Sequence, residues 1–119
     1  MILADDYPPM LSATKRLLAV DCDVVAVVGD GAEIVDVAST LQPDVVVVDF
    51  NMPRVNGLEA CRRIRRANPE IKVIVFTAMG DEGLKEQARR VGASALVSKH
   101  ASGQELINAI KTACADSAV

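Results

Sequence analysis

Short apolar runs alternate with helical patterns along the whole chain. Residues 1–4, 24–28, 45–48, 73–76 and 95–98 are runs of Val, Ile, Leu, Ala and an occasional Met, Phe or Ser. They lack polar/apolar alternation, which predicts strands buried on both faces. Between them the apolar residues fall three and four apart. Pro8 and Pro9 open a first helix carrying Met10, Leu11, Ala13, Leu17 and Leu18, because Pro suits a first turn. Asp21, Cys22 and Asp23 break it. Gly29, Asp30 and Gly31 turn the chain into a second helix with Ile34, Val35, Ala38 and Leu41, stopped by Gln42, Pro43 and Asp44.

A turn-rich loop over residues 51–57 leads to a third helix marked by Leu58, Cys61, Ile64 and Arg65, ending at Asn68 and Pro69. Asp81 is placed to cap a fourth helix that ends at Gly92. Ser102, with Glu105 three residues on, forms a capping box for the last helix. Its Leu106, Ile107, Ala109, Ile110 and Ala113 cover more than one face. Five β-α units with right-handed crossovers predict an α/β fold, a doubly wound five-stranded parallel sheet. The length of 119 residues fits a single domain over residues 1–119.

What the strand runs end in matters most. The first ends in Asp5 and Asp6, the third in Asp49, the fourth in Thr77 and the fifth in Lys99. In an open α/β sheet, ligands bind outside the carboxyl ends of the strands, where the strand order reverses. With the order 2-1-3-4-5, Asp5, Asp6 and Asp49 share that crevice. Like charges about 4 Å apart repel by roughly 4 kcal/mol at an effective dielectric near 20. Carboxylates so placed need a counter-charge, which Lys99 and a hard cation such as Mg²⁺ can supply. Mg²⁺ takes one or two carboxylates with water and phosphate oxygens, and the main-chain carbonyl of Asn51 could complete its shell. A carboxylate beside such a cation can attack phosphorus and form an acyl phosphate. Asp49, on the central strand, is the nucleophile candidate. Thr77 and Lys99 would meet phosphoryl oxygens.

Each residue alone has a plainer reading. A strand-final Asp is often a cap or turn former, Thr77 a hydroxyl bonding backbone, Lys99 a solvated turn residue. Their joint placement at strand ends carries the chemical reading. Arg62, Arg63, Arg65 and Arg66 read by default as a solvated helix face, and His100 as a loop residue.

Composition narrows the picture further. Half the residues are hydrophobic but only 3% are aromatic, so Val, Ile, Leu and Ala must build the core. A net charge of −3 argues against a nucleic-acid surface spread over the domain. Three widely spaced cysteines, Cys22, Cys61 and Cys114, show no metal spacing and read as reduced thiols of a cytoplasmic protein. No secretory leader is recognised and no apolar run approaches the ~20 residues of a membrane span.

Taken together, Asp5 and Asp6, Asp49 with Asn51, Met52, Pro53 and Gly57, Thr77 with Ala78, Gly92 with Ala93, and Lys99 resemble the receiver domain of two-component response regulators, over essentially the whole chain. The resemblance implies a flavodoxin-like fold of strand order 2-1-3-4-5. It implies Asp49 as phosphoacceptor and Asp6 as direct Mg²⁺ ligand. Asp5 would bind the metal through water, and Asn51 through its main-chain carbonyl. It also implies that Thr77 and Lys99 bind the phosphoryl group, and that a sensor histidine kinase is the donor. Such a domain catalyses its own phosphotransfer and dephosphorylation without being a conventional enzyme. Residues 3–8 and 98–102 look like the LuxR/NarL-type subfamily, whose helix-turn-helix output binds DNA. That output is expected to be absent from this chain, and a homodimer is among the expected partners.

Two departures stand out. Leu96 occupies a position, three before the lysine, where the family often has Tyr or Phe, which alters the expected switch between Thr77 and residue 96. His100 stands where many receivers have proline. The alternatives are a stand-alone receiver in a phosphorelay, a haloacid-dehalogenase-like phosphoaspartate hydrolase and a flavin carrier. The hydrolase normally carries its nucleophile in a spaced acidic motif after strand one, and the adjacent Asp5 and Asp6 depart from it. In a flavin carrier they would repel the cofactor's phosphate.

Overall fold

The computed structural model describes residues 1–5, 8–18, 26–52, 54–78, 82–99 and 103–117. The elements are β1 (Ile2–Ala4), α1 (Pro8–Leu18), β2 (Ala26–Val28), α2 (Gly31–Leu41), β3 (Val45–Asp49), α3 (Gly57–Ala67), β4 (Lys72–Thr77), α4 (Glu82–Arg90), β5 (Ala95–Ser98) and α5 (Gly103–Ser117). Asp6, residues 24–25, Asp81, His100 and Ser102, for which the sequence carried expectations, lie outside the described residues.

All five strands are parallel, in the order β2-β1-β3-β4-β5. This is the doubly wound sheet that the uninterrupted apolar runs predict. The runs lack alternation because both faces are covered. Ile2 and Ala4, Val46 and Val48, and Val73 and Val75 pack with Ile34, Ala38, Ala60, Cys61 and Ile64 of α2 and α3. Leu3, Val45, Val47, Ile74, Phe76 and Val97 pack with Leu106, Ile107 and Ile110 of α5. β4 exceeds its apolar run by a residue at each end. The Lys72 N–H donates to the Asp44 carbonyl at 2.9 Å, and Thr77 pairs in register with Ser98.

The helix ends follow local chemistry. Asp30 N-caps α2, accepting from the N–H groups of Ala32 and Glu33. Asn56 does the same for α3 through Glu59. α2 stops where Gln42 turns left-handed, at φ 50°. α4 runs to Arg90 and is closed by Gly92 at φ 90°, the residue at which the sequence pattern ends it. There the Gly92 N–H donates to Arg89 and the Ala93 N–H to Ala88, a Schellman ending. No helix among the described residues is long and apolar enough to cross a membrane.

Candidate functional site

Strand register builds the site. Ala4 pairs with Val48, so Asp5 and Asp49 follow as neighbours at the carboxyl ends of β1 and β3. Asp49 pairs with Phe76 and Thr77 with Ser98, which brings Thr77 and Lys99 to the same edge. The Lys99 N–H donates to the Thr77 carbonyl at 2.6 Å, fixing the backbone from which the lysine side chain reaches back.

The Lys99 ammonium lies 3.0 Å from Asp49 Oδ2 and 3.1 Å from Asp5 Oδ2. All three side chains are largely removed from water, at 13%, 5% and 3% exposure for Lys99, Asp49 and Asp5. The Lys99 ammonium also sits 5.7 Å from the centre of the Phe76 ring, within cation–π range. Thr77 is fully buried. The loop after β3 is anchored to the same carboxylate, since the Asn51 N–H donates to Asp49 Oδ1 at 3.2 Å.

The electrostatics follow from one cation between two buried acids. Burial pushes the Asp49 carboxyl above the usual carboxylate range, and the charge of Asp5 adds to this against the opposing pull of Lys99. Burial works against the Lys99 charge too, but its bonds to Asp49 and Asp5 outweigh that and raise its pKa. Two carboxylates and one ammonium leave net negative charge in a pocket of hard oxygen donors. That donor chemistry fits Mg²⁺. Among the described residues no group of three or more His, Cys, Asp and Glu side chains is gathered for a metal; Asp6, the expected direct ligand, lies outside them.

Of the residues singled out from sequence, Asp5, Asp49 and Lys99 are in direct contact, and Asn51 touches Asp49. Leu96 is half-buried on β5 and pairs in register with Val75, two positions before the Thr77–Ser98 pair. The arginine run on α3 is partly internal to the domain. Arg62 and Arg63 bond Glu59, and Arg65 reaches the carbonyls of Pro69 and Ile71. Sequence reasoning missed Phe76 beneath the lysine, whose only signal was an aromatic beside the strand-end threonine. It also missed the bond from Arg54 to Asp30, 2.6 Å long, for which residue spacing gives no signal.

The sequence matches the response regulator receiver domain family over residues 1–111. It is 34% identical over 113 residues to the transcriptional regulatory protein DegU of Brevibacillus brevis, covering 93% of this chain and 48% of that protein. The chain spans about half the length of the curated relatives it matches. The crystal structure of a LuxR-family two-component response regulator from Aurantimonas superposes with a TM-score of 0.93 at 31% identity, covering 97% of this chain and 84% of that one. A LuxR-family DNA-binding response regulator from Staphylococcus aureus superposes with a TM-score of 0.88 at 30% identity, covering 94% and 95%.

Proposed function

The chain belongs to the response regulator receiver domain family, and from that premise we propose that it is a phosphorylation switch whose acceptor is Asp49. The observation that carries this reading is the Lys99 ammonium seated 3.0 Å from Asp49 and 3.1 Å from Asp5. It places a buried carboxylate, a cation and a second acid at the one sheet edge where a phosphoryl group can approach.

An Asp49 carboxylate oxygen attacks the phosphorus of a phosphohistidine. The P–N bond breaks as the acyl phosphate forms, and the imidazole departs as the neutral leaving group after taking up a proton. Phosphoryl transfer asks the protein chiefly for positioning and charge neutralisation. Asn51 holds one Asp49 oxygen through its N–H, and the Lys99 ammonium meets the charge that builds on the phosphoryl oxygens. The Thr77 hydroxyl serves the same group from β4. Asp5, Asp6, Asp49 and the Asn51 carbonyl would hold Mg²⁺, which neutralises phosphoryl charge when bound. Hydrolysis of the acyl phosphate resets the switch.

The donor in this reading is a sensor histidine kinase in the cytoplasm. The output is transcription, through a DNA-binding domain like those of the LuxR-family relatives. Pairing of two copies belongs to the same reading. The test is intact-mass measurement after incubation with phosphoramidate and Mg²⁺. Wild type gains one phosphoryl group and Asp49→Ala gains none. Undiminished labelling of the Ala variant would remove Asp49 from the role.

A further inference from the structure

The segment between Asp49 and Gly57 joins β3 to α3, and Arg54 within it is held by a residue outside the acidic cluster. Its ends are tied locally: the Asn51 N–H donates to Asp49 Oδ1 at 3.2 Å, and the Gly57 N–H to the Phe50 carbonyl at 2.8 Å. Met52 and Val55 are buried in the core beside α2 and α3. Between them Arg54 takes a left-handed backbone conformation, with φ at 67°. A non-glycine residue stays there only when its surroundings over-determine it.

Asp30 provides that determination. Its Oδ2 accepts from Arg54 Nε at 2.6 Å. The carboxylate cannot swing away, because its Oδ1 accepts from the N–H groups of Ala32 at 2.7 Å and Glu33 at 3.1 Å, capping α2. The Arg54 guanidinium beside it holds the Asp30 carboxyl below the usual range. Next door, Gly31 leaves room for the loop: a Cβ there would lie 1.7 Å from the Val55 carbonyl oxygen. The start of α2 is thus a fixed seat for Arg54 and Val55. Both Asp49 oxygens are engaged in turn, one by Asn51 in this loop and the other by Lys99.

We propose that Asp30 and Arg54 are positioning residues for the chemistry at Asp49: their ion pair holds the loop after β3 so that Asn51 grips the Asp49 carboxylate. This deepens the phosphoacceptor reading and rests on it. Arg54 is then no ordinary solvated arginine, although 67% of its side chain is exposed.

Three variants separate positioning from stability. Asp30→Asn keeps a capping oxygen for α2 but offers Arg54 an amide in place of a carboxylate. Arg54→Gly removes the side chain and the left-handed strain together. Arg54→Lys restores a cation. The readouts are the rate at which phosphoramidate and Mg²⁺ label Asp49, the unfolding midpoint, and the Asn51 amide resonance without metal. Asp30→Asn and Arg54→Gly should each slow labelling about two- to fivefold, the scale an exposed ion pair can carry. The Asn51 resonance should shift in both, with the Arg54→Gly midpoint unchanged or higher. Arg54→Lys should recover most of the rate, and the double variant should be no slower than either single. Unchanged rates and an unmoved Asn51 resonance would overturn the proposal, as would slowing that merely tracks lost stability. If wild type accepts no phosphoryl group, the phosphoacceptor reading fails by itself. The Asn51 resonance then decides the positioning role alone, upholding it if shifted and refuting it if not.

Discussion

Lys99 bridges two acids that are distant in sequence: its ammonium is 3.0 Å from Asp49 and 3.1 Å from Asp5. Removing it should therefore do more than break a bond. In Lys99→Met the two buried carboxylates face each other with no ammonium between them. Breaking such a pair from one side costs about 3 kcal/mol at neutral pH. Asp49, whose pKa burial already raises, would rise further without Lys99. Its folded state then holds a proton where the unfolded chain does not, so stability recovers as pH falls through that raised pKa. Urea unfolding at pH 7.5 and pH 5 should show the deficit shrinking at the lower pH. A deficit that ignores pH would mean that the carboxylates do not repel.

The same sign argument applies to Asp49→Asn. In wild type the Asp49 pKa is raised, chiefly by burial. Its contribution to stability is fully present below the unfolded value of about 3.9 and is lost as pH rises through the folded value. Asn carries no charge to desolvate and leaves Lys99 to Asp5. The variant should unfold at a higher temperature than wild type at pH 7, with the gap closing near pH 4. Calorimetry across that range would measure it, and a lower midpoint at pH 7 would contradict the burial argument.

Gly57 opens α3 and packs directly against the end of β3. A Cβ there would sit 2.6 Å from the Asp49 carbonyl oxygen and 2.8 Å from the Phe50 Cα. Both neighbours are backbone, so they can yield only by moving the end of β3. Gly57→Ala should cost about 1–3 kcal/mol, the usual range for overpacking. It should also slow labelling of Asp49 beyond what the stability loss explains. Denaturant titration and labelling rates on one preparation would separate the two effects.

Cys61 offers a test away from the site. It is fully buried on the inner face of α3, and burial pushes its thiol from 9.0 up to about 12. The thiolate is the nucleophile, so folded protein should resist iodoacetamide at Cys61 at pH 8 and react only when unfolded. Because the folded value is the higher one, this thiol's contribution to stability is intact below pH 9 and lost as pH climbs toward 12. Peptide mapping after a timed alkylation pulse would show it.

Much of this was legible in the sequence, for a physical reason. Continuous valine runs such as residues 45–48 can be satisfied only between two helix layers, and parallel strands put all their carboxyl ends on one edge. Asp5, Asp49 and Lys99 therefore had to converge once the strand order was set. The remainder was not legible because it depends on loop geometry. Nothing in the order of residues says that Arg54, rather than a glycine, takes the left-handed turn, or that its side chain finds Asp30. Phe76 beneath Lys99 likewise depends on which face the ring takes. Arg65 looked like one more solvated charge, yet its guanidinium satisfies the carbonyls of Pro69 and Ile71.

Leu96 is the departure with the clearest consequence for switching. It pairs with Val75 on the α3 side of the sheet, the face that Thr77 shares by strand alternation. Phosphorylation adds charge and strong acceptors, and Thr77 would move toward them, drawing the loop after β4 and α4 along. A ring at position 96 could rotate into the vacated space, but Leu96 has no ring and no polar tip. Movement of the loop and α4 should then carry the signal by itself. Leu96→Ala removes half-buried methyl groups and should cost about 1–2 kcal/mol, below the range for fully buried leucines. It should leave the activation equilibrium nearly unchanged. Amide shifts induced by a phosphoryl mimic such as beryllofluoride, compared between wild type and Leu96→Ala, would measure this. If the variant stays folded and binds the mimic but loses the α4 shifts, Leu96 is itself part of the switch and the argument fails.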